Sequence, residues 1–561
     1  MRYFLSFIFF ISTSFMTYPV FTNTGNYIVY ETGLVIPPGA ENISFNFVGI
    51  EIENEIEEMI DLRKNLFKSK KFQIITLKDF YNLLIALEQL YVLNGYFLTR
   101  FIVPPQSIEQ NSKIKAIVFP GKIESIDYSQ LDDRISKPIK NYFQKLVGIK
   151  GLEYPIIEKS IIKSRELPGV ELETTIKAGE EPGTSSLQLN AEHELVSGYL
   201  TYANGLSESA GKDQFTSYIS FNSPFGYGEN FYAAYVLDPE NNNTNAPIDN
   251  TEIIKRTDFR EAYLVGGKVP ILASDFSVFG AVNESYSEPN GLNKKGEFKK
   301  INLGLEYQIK NTRLIKNNLS LDWQWIKERE YSTFSYITND TFYDEYNALE
   351  LKYTTTNLSF LDSFSLKGSS ALKFGTPIYT NKTSDTKTLS RVGSTLNFIK
   401  WNSDINLNRQ IFRDYLLNTR FVFQKLVSDR GLINSEQINI TGPGQMSGYE
   451  SGNMSGDQGF FLRTELSRPF YPFLEGEEDK REESIRIEPY IHLGVGATYY
   501  KRPASGEFSR TEVASGGYGV KLKIPLNSNS LDISFEVAEA DKSVEGTTSR
   551  PVYLLNATFS F

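Results

Sequence analysis

The sequence predicts two small α+β units followed by a 16-stranded antiparallel transmembrane β-barrel. Three observations carry this prediction: an apolar N-terminus, two runs of helical periodicity before residue 190, and two-residue alternation over the rest of the 561-residue chain. A chain of this length exceeds one ordinary globular core. Aromatic residues make up 14% of it while the mean hydropathy is −0.30, which is typical of proteins that place aromatic side chains at a membrane interface. A soluble β-protein rich in tyrosine and phenylalanine is the alternative.

The composition excludes several classes of function. The absence of cysteine rules out a disulfide scaffold, a cysteine-ligated zinc site and a thiol nucleophile. The two histidines, His193 and His492, are too far apart in sequence to suggest a histidine-rich metal site. The net charge of −10, with both signs interspersed, argues against nucleic acid as a partner. The stretch TGPGQMSG lacks GxGxxG spacing and is interrupted by Pro443. We therefore expect no catalytic residues, no metal and no cofactor.

Residues 1–22 have the pattern of a secretory signal peptide. Arg2 supplies a minimal positive region, and the apolar core from Tyr3 to Met16 is too short to span a bilayer as a helix. A buried N-terminal strand is the alternative. A linker of residues 23–40 follows, and no later segment is apolar for long enough to be a transmembrane helix. We therefore expect an exported chain that crosses a membrane, if at all, as a barrel.

Residues 41–120 form the first predicted unit, in the order β-α-α-β-β. ISFNFVGIEI predicts a strand, and the helical stretches NEIEEMIDLRKNLF and LKDFYNLLIALEQLYVLNG follow it. In the second helix apolar residues recur at helical spacing before the stop at Asn94-Gly95, namely at Phe80, Leu83, Leu84, Leu87, Leu90 and Leu93. YFLTRFIV and KIKAIVFPG predict the last two strands. Residues 121–192 repeat this order from KIESIDYS to SSLQLNAEHE, which implies a tandem repeat.

Residues 193–561 alternate apolar and polar residues in segments of about ten, the length of a tilted membrane-crossing strand. Sixteen such segments begin near Gly198, Phe215, Phe231, Ala262, Phe276, Ile301, Leu319, Tyr346, Phe364, Arg391, Leu416, Gly459, Ile485, Val513, Leu531 and Val552, of which the Arg391 segment is weakest. The last segment ends on Phe559 and Phe561, the kind of aromatic C-terminus that outer-membrane barrels present to their assembly machinery. One long connection, residues 428–458, suggests function by its length.

Four stretches together resemble the two-partner secretion transporters of TpsB type, whose periplasmic units are called POTRA domains. The signatures of the first and second POTRA domain are similar to NGYFLTRFIVPPQSI and LPGVELETTIKAGEEPGTSSLQL, respectively. The approach to an inward-folding loop is similar to LINSEQINITGPG, and the strand after that loop is similar to SGDQGFFLRTEL. The matching residues are Gly95, Tyr96, Arg100, Pro105 and Gln106; Pro168, Gly169, Val170, Pro182, Gly183 and Thr184; Ser435, Glu436 and Gln437; and Gly456, Asp457, Gly459, Arg463 and Glu465. The resemblance implies substrate-binding roles for Tyr96, Arg100, Pro105, Gln106, Pro168 and Gly169.

The loop tip departs from the family pattern. In the family, the loop tip has the sequence Val-Arg-Gly-Tyr, and its arginine pairs with the aspartate of a Phe-x-Asp motif on the barrel wall. At the loop tip this chain has Met446, Ser447, Gly448 and Tyr449. On the wall strand PYIHLGVG, His492 and Gly494 occupy the Phe and Asp positions. Both members of the pair are replaced, and joint loss costs far less than leaving one buried charge unpaired. We expect either a loop held in the lumen by Tyr449 and local hydrogen bonds or a more mobile one. The short linker also makes a pore-plugging helix unexpected.

The resemblance implies an outer-membrane pore that binds an unfolded exoprotein through periplasmic POTRA domains and secretes it. The implied partners are a TpsA-type exoprotein with an N-terminal secretion domain, outer-membrane lipids, and the barrel assembly machinery during biogenesis. Alternation places Asn302, Glu306, Lys521 and Lys523 on the polar lumen face. An assembly factor for other barrels is the alternative, and a passive porin would leave the POTRA domains without a role.

Overall fold

The computed structural model describes residues 34–108, 113–181, 183–206, 212–238, 259–272, 274–288, 294–332, 340–360, 364–378, 388–412, 414–472, 484–541 and 550–561. These residues form two compact units, one reaching to Leu195 with residues 223–229, and one of residues 196–222 and 230–561. The predicted signal peptide and residues 23–33 of the predicted linker lie outside the described part, as does Pro182. Within that part, no helix has the length and apolarity needed to cross a membrane.

The first half of the N-terminal unit combines two helices with five short strands. Its elements are β1 (Ser44–Phe47), β2 (Ile50–Glu53), α1 (Ile60–Lys68), β3 (Gln73–Thr76), α2 (Leu77–Leu93), β4 (Arg100–Ile102) and β5 (Ile114–Phe119). β5 pairs in parallel with β2 and antiparallel with β4, while β1 and β3 form a separate two-stranded sheet. The predicted first strand is therefore two strands separated at Gly49, and β3 is an element that the sequence pattern did not predict.

Helix α2 carries the core of this half. Thr76 caps it reciprocally: the Thr76 hydroxyl accepts from the Asp79 amide at 3.1 Å and the Asp79 carboxylate accepts from the Thr76 amide at 3.1 Å. The hydrogen bonds from Thr76 hold the pKa of Asp79 below its usual value. Of the predicted apolar face, Phe80, Leu84 and Leu87 are fully buried, as the helical spacing requires. They pack against the strands in one hydrophobic core.

The second half of the N-terminal unit has the predicted order. β6 (Lys122–Leu131) precedes α3 (Asp133–Phe143) and α4 (Tyr154–Arg165), and β7 (Val170–Ala178) and β8 (Thr184–His193) follow. The sheet order is β6-β8-β7, with β6 parallel and β7 antiparallel to β8. Because β8 lies in the centre, β6 and β7 are both edge strands. Ile135, Ile139 and Phe143 on α3 are fully buried against this sheet.

The second unit is a closed barrel of sixteen antiparallel strands, which confirms the predicted fold class. Its strands are β9 (Val196–Ala203), β10 (Gln214–Asn222), β11 (Asn230–Leu237), β12 (Phe259–Pro270), β13 (Phe276–Glu288), β14 (Lys294–Asn311), β15 (Ile315–Ser332), β16 (Asp340–Phe360), β17 (Phe364–Pro377), β18 (Phe398–Ile411), β19 (Tyr415–Leu426), β22 (Gln458–Ser467), β23 (Arg486–Tyr499), β24 (Arg510–Leu526), β25 (Asn529–Ala540) and β26 (Val552–Ser560). Between β19 and β22 the chain adds β20 (Ile438–Asn439) and β21 (Ser455–Gly456).

The predicted alternation separates an outer apolar face from an inner polar one. On β14, Leu303 and Leu305 are 58% and 42% exposed, while the intervening Gly304 lies on the other face. The strand predicted near Arg391 is wrong in position, since β18 begins at Phe398 and Arg391 is a buried residue of the connection before it. The barrel closes where β26 pairs with β9; Phe559 lies opposite Leu200. The amide and carbonyl of Phe561 bond to those of Gly198 at 2.9 and 2.7 Å.

Candidate functional site

The connection between β19 and β22, residues 427–457, is an ordered loop folded against the inner wall of the barrel. β20 and β21 pair within it, and the turn beyond them is closed by hydrogen bonds from the Met446 amide to the Ile440 carbonyl and from the Ile440 amide to the Met454 carbonyl. Ile440 and Met446 are fully buried and pack against Phe461 and Val513 of the wall. These wall residues face inward, because the neighbouring Phe460 is 36% exposed on the outer face while Phe461 is 1% exposed.

The root of the loop is fixed by Glu436, which is 4% exposed. Its carboxylate contacts the ammonium group of Lys373 on β17 and lies 2.7 Å from that of Lys400 on β18. The hydroxyl of Tyr346 on β16 donates to it at 2.5 Å. Burial alone would raise the pKa of Glu436, but the Lys400 and Lys373 charges hold it below its usual value. An ionised loop carboxylate thus joins three neighbouring strands.

The main-chain groups around Glu436 are bonded as well. Lys400 Nζ donates to the Glu436 carbonyl at 2.8 Å, and Gln424 Nε2 donates to the same oxygen at 3.0 Å. Leu432 and Ile433, just before it, are fully buried against wall residues that include Ile326 and Tyr346. The root is therefore held by both ionic and apolar contacts, which makes its release costly.

A second anchor lies where the loop returns to the wall. Asp457 is fully buried and accepts from the Leu432 amide at 2.7 Å and from the Lys501 amide at 2.8 Å. Arg391 lies 3.3 Å from Asp457 and forms two hydrogen bonds, of 2.9 and 2.8 Å, with Glu507. Arg391, predicted to start a strand, instead ties together three connections on one end of the barrel, those before β18, before β22 and before β24.

The tip of the loop is held by an ion pair that belongs entirely to the wall. Arg463 on β22 pairs with Glu536 on β25 at 2.7 Å and also donates to the Ser447 hydroxyl and, at 3.2 Å, to the Gln445 carbonyl. Glu536 further accepts from the Tyr490 hydroxyl at 2.7 Å. The wall supplies both charges, and Ser447, which is 0% exposed, supplies a neutral hydroxyl that accepts from Arg463 and bonds to the Glu536 carboxylate. A serine at this position is therefore consistent with a loop tip that stays inside the lumen.

The other predicted tip and wall residues also meet. The Tyr449 hydroxyl donates to the Ala514 carbonyl at 3.2 Å. Gly448 lies so close to β25 that a Cβ on it would be 2.4 Å from the Ala540 nitrogen. Gly494 faces Met446, since a Cβ on Gly494 would lie 2.5 Å from the Met446 Cε atom.

His492 completes the wall beside the tip. It is fully buried, and its Nε2 atom lies 3.2 Å from a Glu536 oxygen. The sequence pattern predicts His492 beside the loop but gives no sign that Glu536 is its charged neighbour. Lys373, Lys400 and Tyr346 at the root were missed in the same way.

The residues predicted to bind substrate in the N-terminal unit have structural partners. Tyr96 is 9% exposed in the core, and the Arg100 guanidinium donates to the Thr99 carbonyl at 2.9 Å. The Gln106 side chain bonds to both the amide and the carbonyl of Lys115 on β5 at 2.8 and 2.7 Å, so it extends the sheet. Pro105 is exposed, and Pro168 precedes Gly169, which adopts φ 68° at the turn into β7. These residues shape the unit more than they display free side chains.

A polar space remains inside the barrel beside the loop tip. Two adjoining cavities of about 450 and 490 Å³ share Asn418, Glu465, Lys521, Ser534 and Asn556 in their linings, and Lys523 lines the second. Elsewhere on the inner face Asn302 donates to Asp322 at 3.3 Å and Glu306 pairs with Lys268 at 2.5 Å. Within the described ranges, no group of three or more histidine and acidic side chains could hold a metal ion. The lumen beside the loop is thus lined by polar and charged side chains, whereas the loop itself packs on the wall through apolar side chains.

Comparison with known proteins gives one family match. The family model described as haemolysin secretion/activation protein ShlB/FhaC/HecB matches residues 183–522. The heme/hemopexin transporter protein HuxB of Haemophilus influenzae is 20% identical over 534 residues, which cover 87% of this chain and 85% of HuxB. The hemolysin transporter protein HpmB of Proteus mirabilis is 22% identical over 495 residues, which cover 85% of this chain and 79% of HpmB.

Solved structures support the same fold. CdiB from Escherichia coli superposes with a TM-score of 0.68 at 17% identity, covering 95% of this chain and 93% of CdiB. CdiB from Acinetobacter baumannii superposes with a TM-score of 0.58 at 12% identity, covering 100% and 97% of the two chains. At these identities the likeness establishes the architecture and leaves the individual contacts of the loop as properties of this chain.

Proposed function

The chain belongs to the haemolysin secretion/activation protein family ShlB/FhaC/HecB and is an outer-membrane secretion pore of two-partner type; we propose that it exports one dedicated exoprotein, which its periplasmic domains bind unfolded. The observation that carries this proposal is the loop anchored to the inner wall of a closed barrel. A passive diffusion pore would leave the N-terminal unit without a role. A conduit for a polypeptide uses both parts, because the N-terminal unit receives the chain and the loop closes the lumen between substrates.

The loop gives the pore a closed state with a defined cost of opening. The exoprotein passes through the same polar lumen that residues 427–457 occupy, so part of the loop must leave the wall during transport. The tip is the part that moves, because Ser447 contributes one neutral hydroxyl whereas Glu436 contributes a buried charge with two ionic partners. Folding of the exoprotein outside makes export one-way, and no nucleotide is required.

The N-terminal unit receives the unfolded exoprotein before it enters the barrel. An open edge strand of this unit offers main-chain donors and acceptors, which an extended polypeptide engages by strand addition. Residues such as Tyr96, Arg100 and Gln106 contribute by holding β4 and β5 in place. The outward apolar face of the barrel contacts outer-membrane lipids, and Phe559 and Phe561 on the last strand are the residues that the barrel assembly machinery recognises during biogenesis.

Deleting the gene tests this proposal. Quantitative mass spectrometry of the culture medium and the outer membrane should show the loss of one or two large secreted proteins and unchanged levels of other barrels. A broad fall in outer-membrane barrels would instead establish an assembly factor. No change in either fraction would contradict both functions. Complementation with the intact gene is the control, because it should restore the missing protein to the medium.

A further inference from the structure

An exposed apolar edge lies on the small β1–β3 sheet of the N-terminal unit. Ile74 in β3 is 79% exposed, and Phe72, immediately before β3, is 68% exposed. Among the described residues β3 pairs with β1 alone, so its other edge has no neighbouring strand. A large apolar side chain exposed on a short edge strand, with a second one immediately before the strand, is a pattern that proteins usually avoid, because it invites pairing with another chain.

The backbone of β3 points toward this open side. The Leu77 amide donates to the Ile43 carbonyl at 2.8 Å, which makes that pair a hydrogen-bonded one. Hydrogen-bonded and non-hydrogen-bonded pairs alternate along an antiparallel ladder, so Phe45 and Ile75 form the next bonded pair. Ile74, opposite Asn46, therefore directs its amide and carbonyl away from β1. An incoming extended segment would find one donor and one acceptor in register there.

The conformation of Phe72 supports a role for its side chain. Its φ is 65°, in the left-handed region that bulky residues rarely adopt. Packing of the ring in the core does not offset this strain, because the ring is mostly exposed. The Lys71 ammonium lies 5.0 Å from the ring centroid. Residues held in strained backbone conformations cluster at ligand-binding and active sites.

The other half of the same unit shows what a protected edge looks like. On the edge strand β7, Glu171, Glu173 and Lys177 are exposed, and Ile176 is the largest exposed apolar side chain at 38%. Charged side chains of this kind discourage edge-to-edge pairing. Charged side chains therefore protect the β7 edge, whereas the β3 edge is apolar. Of these two edges, the β3 edge is the one suited to docking.

Basic residues flank the open edge. Lys68, Lys70 and Lys71 precede β3 and Lys78 follows it, and all four side chains are exposed. Lys70 and Lys78 are close enough to the end of β3 to act on the Asp79 carboxylate there. The whole chain carries a net charge of −10, so this local basic surface contrasts with the rest of the protein. It complements acidic residues on whatever strand the edge receives.

We propose that the β3 edge, with Phe72 and Ile74, is the first docking site for the exported protein, and that it binds an extended segment in which apolar and acidic residues alternate. This proposal rests on the secretion function above and assigns recognition to one edge of the N-terminal unit. The main chain of the segment adds to β3, its apolar side chains pack on Phe72 and Ile74, and its acidic side chains face the flanking lysines.

In cells, Ile74→Pro and Ile74→Lys test the site within the full-length chain. Proline at residue 74 removes an outward amide without removing a β1–β3 hydrogen bond, and lysine removes the exposed apolar side chain on which the segment packs. Both variants should reduce export of the protein identified by gene deletion by about tenfold or more. The matched control Ile176→Lys, on the β7 edge, should leave export unchanged. Equal amounts of each variant in the outer membrane exclude a folding defect as the cause.

A photo-crosslinking amino acid in place of Phe72 identifies the occupant. It should crosslink to the same exoprotein that the deletion removes from the medium. A crosslink to residues 23–33 of the chain itself, or to a second copy, would overturn the proposal. If deletion removes no secreted protein, the secretion function fails; if export depends on the chain but survives Ile74→Pro, only the docking site fails.

Peptides test the chemistry of the segment directly. A short synthetic peptide that alternates valine and glutamate should bind the purified full-length protein about tenfold more tightly than one that alternates valine and lysine. Ile74→Pro should abolish that difference. Equal binding of both peptides by the native protein would contradict the acidic preference.

Discussion

Glu436→Gln should release the root of the lumen loop. The glutamine keeps the size of the side chain and can still accept from Tyr346, but Lys373 and Lys400 then remain buried without their ion-pair partner. Removing one partner of a buried ionic cluster costs about 3–5 kcal/mol. Backbone amides of residues 430–457 should therefore exchange with solvent about a hundredfold faster or more, since about 1.4 kcal/mol corresponds to a factor of ten.

Hydrogen exchange followed by mass spectrometry measures this effect in the purified protein. Glu450→Gln is the matched control, because Glu450 is a partly exposed carboxylate of the same loop with no ion pair among the described residues. Adding Lys373→Met and Lys400→Met to the Glu436 variant removes the whole ionic cluster and should restore much of the protection. Unchanged exchange in Glu436→Gln would mean that the apolar contacts of Leu432 and Ile433 and the hydrogen bonds to the main-chain carbonyl of residue 436 hold the root without the ion pairs.

Ser447→Arg should expel the tip of the loop. Ser447 is fully buried and accepts from Arg463, so an arginine there would place a second cation against the first in a space already filled. Export of the exoprotein should fall severalfold, or the closed pore should become leaky. Adding Gly494→Asp should recover part of the loss, because Gly494 lies opposite Arg463 in the β22–β23 register and a carboxylate there would offset the added charge.

Recovery should be incomplete for a steric reason. A Cβ at residue 494 lies 2.5 Å from the flexible end of Met446, which must shift to admit it. Asn453→Arg controls for the added charge, since Asn453 is exposed in the same loop and the substitution should be neutral there. If Ser447→Arg alone is harmless, the Arg463–Glu536 pair does not fix the tip.

The barrel could be predicted from the sequence because every membrane-crossing strand must present apolar residues outward and polar residues inward. Because of that constraint, the segment that begins at Ile301 can be identified as a strand from the sequence alone. The strand predicted at Arg391 shows where alternation fails to locate a strand. Residues 388–397 have weak alternation because they are a connection whose side chains bond to other connections, and the true strand begins only at Phe398.

The loop anchors depend on pairing across distant strands, which alternation alone does not reveal. Arg463 and Glu536 were both assignable to the polar face, but their contact follows from the barrel's closure and stagger. For Lys373 and Lys400 the sequence does hold a sign of the contact. A lysine on the inner face of a strand that ends beside a long connection needs a counter-charge. Strand β3 was missed because four residues between two helices are too few to show a period.

In the function proposed above, the loop closes the pore from inside, with a fixed root and a releasable tip. Ile438 pairs with Gly456, so residues 439–455 can be replaced by a short glycine-serine turn that leaves Glu436 and Asp457 in place. The most direct measurement is single-channel conductance of this variant and the native protein in planar lipid bilayers. We predict a mostly closed native channel and a steady, larger conductance for the variant; equal conductances would contradict closure by the loop.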